Sequence, residues 1–102
     1  MAQARVKPLE VAWLRKALLN LDEEATYIAQ DNPQAAQQVV ARIVYAVDLL
    51  KHQPGLGRPG RVPGTRELPV ANTRYLIPYR VRGQRIEILR VFHTSRKPPS
   101  QW

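Results

Sequence analysis

The sequence contains no cysteine, which excludes a disulfide framework and a thiolate metal cluster. Only two histidines, His52 and His93, are present, and without carboxylate help they cannot hold a metal, so we expect neither a metal nor a cofactor. No apolar run approaches the roughly 18 residues of a membrane span, and the first residues lack the apolar segment of a signal peptide. A soluble, cytoplasmic protein without membrane contact is therefore the expectation.

The length and composition describe one folding unit. The chain has 102 residues, of which 44% are hydrophobic, and this is enough to build one core. We expect a single domain over residues 1–102, with flexible residues 1–6 and a loosely held tail at residues 94–102.

Acidic residues are scarce in the second half of the chain. Residues 1–51 carry six basic and six acidic side chains, whereas residues 52–102 carry ten basic side chains against Glu67 and Glu87 alone. All but one of those ten are arginine, which binds carboxylates and phosphates through a planar fork of donors. A polyanion or an acidic protein partner is therefore predicted. The candidate binding residues are Arg58, Arg61, Arg74, Arg82, Arg85 and Arg96.

Hydrophobic periodicity predicts the first three elements. Alternation over Pro8–Trp13 indicates a short strand, and apolar residues at intervals of three and four indicate a helix from Leu14 to about Gln30. Asp31-Asn32-Pro33 supplies a capping side chain and a proline at a first helical position, so a second helix starts there and runs to about His52.

A loop and three further strands complete the prediction. Pro54–Gly64 contains four glycines and three prolines and is predicted to be a loop. Strands follow over residues 65–70, 74–82 and 85–92, joined by short breaks typical of antiparallel neighbours, and the last is expected to be central because both its faces are apolar. The fold class is α+β, in the order β-α-α-β-β-β, with a helical hairpin packed on a small, mainly antiparallel twisted sheet.

Several side chains could carry chemistry. Arg66 and Glu67 follow the loop, and they could hold it or present an arginine to a ligand, with a surface ion pair as the alternative. In a continuous last strand, Arg90 shares a face with Ile88 and Phe92 and needs a partner such as Glu67, Glu87 or backbone carbonyls, while His93 points the opposite way. His93 has the intrinsic pKa of a general acid or base, although a packing role is the alternative. Tyr75 and Tyr79 are predicted to be core residues with their hydroxyls at the rim.

A set of motifs resembles one known superfamily over residues 11–96. These motifs are Leu18-Leu-Asn-Leu-Asp-Glu-Glu-Ala-Thr-Tyr-Ile-Ala, Asn32-Pro-Gln-Ala-Ala, Pro54-Gly-Leu-Gly-Arg-Pro-Gly-Arg, Gly64-Thr-Arg-Glu-Leu, Tyr79-Arg-Val and Ile88-Leu-Arg-Val-Phe-His-Thr-Ser-Arg. Together they resemble the RelE/ParE superfamily of bacterial toxins. The resemblance implies the toxin of a type II toxin–antitoxin module, held inactive by a cognate antitoxin whose acidic or amphipathic segment lies across it.

The resemblance leaves the target open between two branches. RelE-like members cut messenger RNA on the ribosome with clustered lysines and arginines and a late tyrosine or histidine, whereas ParE-like members poison DNA gyrase. Here Lys97 is the single lysine of the second half, no tyrosine follows Tyr79, and the ending Arg90-Val-Phe-His93 is similar to that of ParE-like toxins. We therefore expect a gyrase inhibitor. The alternative is a RelE-like endoribonuclease in which Arg66 and Arg90 steady the phosphate and His93 moves the proton, and an inert binding module is the third possibility.

Overall fold

The computed structural model describes residues 7–102, and the predicted flexible segment 1–6 lies outside the described residues. In this part of the chain, no helix combines the length and the apolar character needed to cross a membrane. Within residues 7–102, two helices and six strands follow one another as β1 (Glu10–Trp13), α1 (Arg15–Asp31), α2 (Pro33–Leu49), β2 (Arg58–Pro59), β3 (Arg66–Pro69), β4 (Tyr75–Arg82), β5 (Arg85–Ile88) and β6 (Phe92–His93).

The strands form one mixed sheet in the order β1-β5-β4-β3-β2, with β6 paired to the remaining length of β4. β1 runs parallel to β5, and every other pairing is antiparallel. The α+β class and the mainly antiparallel sheet are therefore confirmed. The sequence left the position of the first strand open, and the structure places β1 at the edge beside β5, which makes β5 an internal strand as predicted.

The helical hairpin covers one face of this sheet. The Asn32 side chain accepts a hydrogen bond from the Ala35 N–H at 3.0 Å, with Pro33 in the first turn, so the predicted start of α2 is confirmed. Ile43 and Val47 of α2 pack into the same core as Ile77 and Tyr79 of β4. α2 ends at Leu49, earlier than predicted, because the chain turns there and the Leu50 N–H bonds to the Val47 carbonyl.

The segment 54–64 is not an unpaired loop throughout. Arg58 and Pro59 form β2 and pair with Glu67 and Arg66 of β3. A proline at the sheet edge can be accommodated because its missing N–H need not face a partner strand. The prediction of an unpaired loop was therefore wrong at these two residues.

The predicted continuous strand over 85–92 was also wrong, because a bulge divides it. β5 pairs Ile88 with Tyr79, whereas β6 pairs Phe92 with Leu76. Leu89, Arg90 and Val91 therefore lie opposite only two residues of β4, which leaves one of the three without a counterpart. Opposite this bulge lies Pro78, which has no N–H to donate, and prolines inside sheets are confined to such positions.

The bulge changes which side chains share a face. An extra residue shifts the alternation by one, so Phe92 faces away from the helices while Ile88 faces them. His93, opposite Tyr75, lies on the helical side of the sheet. The predicted grouping of Arg90 with Ile88 and Phe92 was therefore wrong, and the physical reason is the one-residue bulge.

Candidate functional site

Two side chains hold the loop that follows α2 against the sheet, and both lie on the face of the sheet that the helices cover. Tyr79 is fully buried, and its hydroxyl donates to the Pro54 carbonyl at 2.7 Å and accepts from the Gly57 N–H at 2.9 Å. The Arg66 guanidinium donates to the Gly57 carbonyl at 2.7 Å. Tyr75 and Tyr79 are thus core residues, as predicted, and the loop has a fixed position relative to β3 and β4.

Glu67 anchors the same loop from the opposite face of the sheet. Its side chain is buried, and one carboxylate oxygen accepts the Arg61 backbone N–H at 3.1 Å. The guanidinium groups of Arg61 and Arg58 lie 3.3 and 3.6 Å from the carboxylate. Arg66 and Glu67 therefore hold the loop through separate contacts, and the alternative of a surface ion pair between them was wrong because their side chains lie on opposite faces.

Among the described residues, five arginines surround the sheet face that the helices leave uncovered, and we call them the arginine face: Arg58, Arg61, Arg80, Arg82 and Arg85. The Nε atoms of Arg80 and Arg82 lie 2.6 and 3.5 Å from one oxygen of Glu87. The hydrogen bond from Arg80 is the main reason that the pKa of Glu87 lies below its usual value. Arg82 and Arg85 are opposite each other in the register and exposed. Only two carboxylates of the described residues, Glu67 and Glu87, pair with these five arginines, so this face carries an excess of positive charge.

The helical side of the protein has the opposite sign. Residues 15–49, which span both helices, carry three basic side chains and five acidic ones. Positive charge is thus concentrated on the strands and their loops, and an acidic partner approaching the protein is drawn to the sheet.

A second cluster lies where α1 meets the end of β6. The Glu24 carboxylate accepts the Tyr75 hydroxyl at 2.8 Å and the Arg96 guanidinium at 2.9 Å. The His93 ring packs edge-on against the Tyr75 ring, with centroids 5.1 Å apart, and His93 Nδ1 lies 2.6 Å from the Ser95 hydroxyl. These side chains line a cleft of about 350 Å³ that also includes Arg74, and we call it the His93 cleft.

The surroundings of the His93 cleft shift the pKa values of two side chains, Glu24 and Tyr75. Burial alone would raise the pKa of Glu24, but the hydrogen bonds from Arg96 and Tyr75 outweigh it and hold that pKa below its usual value. Burial, and then the neighbouring Glu24 carboxylate, raises the pKa of Tyr75 well above that of a free tyrosine. Tyr75 is therefore a hydrogen-bond donor at neutral pH rather than a base.

Two of the three residues proposed for phosphate chemistry, Arg66 and His93, lie apart. Arg66 is opposite Tyr79, whereas His93 is opposite Tyr75, four residues or about 13 Å further along β4. Arg90 lies in the bulge, donates to the Leu89 carbonyl at 2.7 Å, and has its pKa lowered by burial. Its partner is thus a backbone carbonyl, one of the predicted types.

The six arginines predicted to bind a partner divide between two places. Arg58, Arg61, Arg82 and Arg85 belong to the arginine face, and Arg74 and Arg96 line the His93 cleft. Within residues 7–102, no group of three or more histidine and acidic side chains is placed to hold a metal ion.

α1 turns two polar side chains, Glu24 and Asn20, toward the sheet, and neither was among the residues predicted to be functional. Glu24 lies three residues after Leu21 and four before Ile28, so the helical period itself places it on the apolar stripe. Asn20, on an adjoining part of the helix, accepts the Val91 N–H at 3.2 Å beside the bulge. A polar residue that interrupts an apolar helical stripe is the sequence feature that could have identified this cluster.

A small α+β domain with a basic sheet face and acidic helices has the properties of a binding protein for an acidic or polyanionic partner. Residues 11–98 match the family model described as the ParE toxin of a type II toxin–antitoxin system, parDE. The chain therefore belongs to the ParE toxin family and is the toxin of a type II toxin–antitoxin module.

Individual relatives agree with this assignment. A protein of Sinorhizobium fredii named as a toxin, Y4kP, is 48% identical over 87% of this chain and 92% of its own length. Toxin RelE2 of Caulobacter vibrioides is 36% identical over 85% of this chain and 97% of its own length. A solved structure titled as a chromosomal ParDE TA system from P. aeruginosa has a TM-score of 0.75 and 35% identity, covering 83% of this chain and 95% of that one.

Proposed function

We propose that this toxin inhibits DNA gyrase, by binding the enzyme and stabilising its cleaved DNA complex, and that a cognate antitoxin neutralises it. The observation that carries the proposal is the match to the ParE family model over residues 11–98, together with the likeness to a ParDE system. The proposal also puts the protein in the cytoplasm, where gyrase acts.

The separation of Arg66 from His93, two of the residues proposed for RNA cleavage, supports this choice. General acid–base chemistry requires the proton-transferring group to be within hydrogen-bond reach of the reacting atoms. With Arg66 and His93 about 13 Å apart along β4, one phosphate does not meet both groups without rearrangement. A ribonuclease would have to use the His93 cleft alone.

The second candidate function is that of a RelE-like endoribonuclease, and the His93 cleft is the observation that favours it. His93, Arg74 and Arg96 line it together, so it offers a titratable ring beside two cations, and one relative carries the name RelE2. In a ribosome-dependent endoribonuclease, these groups would move the proton and steady the phosphate.

Two assays with the purified toxin separate the candidates. We expect the toxin to inhibit DNA supercoiling by gyrase, to increase the amount of cleaved DNA, and to leave messenger RNA intact on programmed ribosomes. Adding the antitoxin should restore supercoiling. Cleavage of the messenger RNA with unaffected gyrase would establish the ribonuclease instead, and no effect in either assay or on growth would favour an inert binding module.

A further inference from the structure

The last two residues of the segment 97–102, Gln101 and Trp102, lie against the arginine face. The Trp102 ring packs edge-on against Phe92, with centroids 5.4 Å apart and planes at 66°. Trp102 also lines a cleft of about 410 Å³ together with Leu89, Arg80 and Arg82. The preceding Arg96 is bonded to Glu24 on the helical side, so this segment passes from one side of the sheet to the other.

Trp102 packs on one apolar side chain that the helices do not reach, Phe92, and lies across a cleft from a second, Leu89. Phe92 faces away from the helical hairpin because of the bulge, and Leu89 lines the same cleft as Trp102. Leu89 is buried, with 6% exposure, although no helix of the described residues packs on this face. The sheet face therefore has an apolar centre bordered by arginines, with one of the chain's own side chains placed on it.

The indole N–H of Trp102 is buried without a hydrogen-bond acceptor in the described part of the chain. Its Nε1 is buried, and among the side-chain nitrogens and oxygens of residues 7–102 it is the one that is buried without a hydrogen-bond partner. A buried donor that has lost water and gained no acceptor weakens the contact that buries it. A leucine, phenylalanine or methionine side chain would fill the same place without that loss.

The charge around the cleft selects the kind of partner. Arg82 has 63% of its side chain exposed and lies 3.5 Å from Glu87, so its guanidinium has donors to offer a further carboxylate. Arg85 is its neighbour on β5, while the helices on the other side carry a net negative charge. An acidic segment is therefore attracted to this face and repelled from the hairpin.

We propose that the arginine face is the binding site of an acidic segment of the antitoxin, and that a large apolar side chain of this segment, without a polar atom, displaces Trp102 from Phe92 and fills the cleft beside Leu89. This inference rests on the proposed neutralisation by an antitoxin and adds where and how the segment binds. Residues 97–102 then act as an exchangeable cover of the site.

The displacement can be followed with the fluorescence of Trp102 itself. The chain has two tryptophans, so Trp13→Phe leaves Trp102 as its single tryptophan, which can be excited selectively. Adding the purified product of the neighbouring antitoxin gene should shift the emission of Trp102 to longer wavelength and make it more accessible to acrylamide. Trp102→Ala should tighten antitoxin binding severalfold, because the competing side chain is gone.

A matched variant on the helical side is the control. Tyr45 of α2 is 69% exposed and lies on the other side of the protein, so Tyr45→Ala should leave the antitoxin Kd unchanged. Antitoxin binding without a change at Trp102, or with a blue shift, would overturn this inference and leave the proposed function intact. Release of Trp102 by a DNA oligonucleotide but not by the antitoxin would also overturn it. If the antitoxin does not bind at all, neutralisation and this inference both fail.

Discussion

The Tyr79 hydroxyl lies 2.9 Å from the Gly57 backbone nitrogen, and this contact leaves no room for a side chain at position 57. A Cβ added there would lie 2.7 Å from Tyr79 Cε1 and 2.9 Å from the Glu67 carbonyl oxygen. Because Tyr79 is fully buried and Glu67 O belongs to the backbone of β3, neither can move away easily. The glycine thus allows the close packing that positions Arg58 next to it.

We predict that Gly57→Ala destabilises the protein. Overpacking of a well-filled site costs typically about 1 to 3 kcal/mol, and the strain here falls on the buried Tyr79 ring. The measurement is the free energy of unfolding from urea denaturation.

Gly55 in the same loop provides the control for this substitution. A Cβ at position 55 meets nothing within 4 Å, so Gly55→Ala should leave the unfolding free energy nearly unchanged. Equal losses in the two variants would mean that the loop is sensitive to any added side chain and would contradict the close packing of Gly57 on Tyr79.

We predict that the Glu24 carboxylate makes the stability of the toxin fall in acid. Its pKa is lower in the folded protein than the ordinary value of 4.5, because the bonds from Arg96 and Tyr75 outweigh burial. The resulting stabilisation is therefore present above pH 4.5 and is lost as the pH falls through the lower folded pKa. Thermal unfolding of the wild type between pH 7 and pH 3 measures this loss.

The Glu24→Gln variant should lack that part of the pH dependence. The amide oxygen still accepts from Tyr75, but the charge pairing with the half-exposed Arg96 is lost, which costs about 1 kcal/mol or less at neutral pH. The two proteins should converge in stability in acid. Glu23→Gln changes the exposed neighbouring carboxylate and serves as the control. A wild-type advantage over Glu24→Gln that persists in acid would contradict the prediction.

Local patterns were sufficient to predict much of this fold. The helical hairpin follows from apolar intervals of three and four and from the cap at Asn32, and both are properties of neighbouring residues. The core positions of Tyr75 and Tyr79 follow from alternation along β4. The order of the strands in the sheet, by contrast, depends on pairings between residues far apart in the chain.

The bulge at Arg90 shows why the candidate site was harder to predict. Alternation assigns a face to every residue of a strand only while the register is continuous, and a single extra residue reverses every assignment after it. His93 and Phe92 exchanged faces for that reason. Pro78 was a visible sign of irregularity, but it lies on the partner strand, and only the pairing shows that it faces the bulge.

We predict that reversing the charges of Arg82 and Arg85 weakens the complex with the antitoxin. Both lie on the arginine face and are exposed, so Arg82→Glu with Arg85→Glu changes the surface charge by four units while leaving the core untouched. The logarithm of the antitoxin Kd should become less dependent on salt concentration, because fewer attractive charges remain to be screened. Isothermal titration calorimetry at several salt concentrations measures both effects.

Two further charge reversals test which other parts of the surface the antitoxin contacts. Arg74→Glu changes the predicted binding residue that lines the His93 cleft, and its effect shows whether the antitoxin reaches that side. Arg42→Glu on α2 is the control and should change the Kd little, because the helical side already has a negative net charge. Unchanged affinity of the Arg82 and Arg85 double variant at low salt would remove the arginine face as the binding site.

The last prediction concerns His93 and separates the two targets. His93 packs against Tyr75 and bonds to Ser95, so His93→Ala should cost about 1 kcal/mol of stability through the lost ring contact but keep the fold. Because no proton transfer by the toxin is needed to trap gyrase on cleaved DNA, inhibition of supercoiling by the folded variant should remain close to that of the wild type.

A ribonuclease would respond differently to the same substitution. Loss of a general acid or base lowers a rate typically about 10² to 10⁴-fold, far more than a small loss of stability can produce in a protein that stays folded. His52→Ala, which removes the exposed histidine that follows α2, is the matched control and should be neutral in both assays. Ribosome-dependent RNA cleavage that is abolished in His93→Ala but kept in His52→Ala would therefore assign catalysis to the His93 cleft and exclude the gyrase proposal.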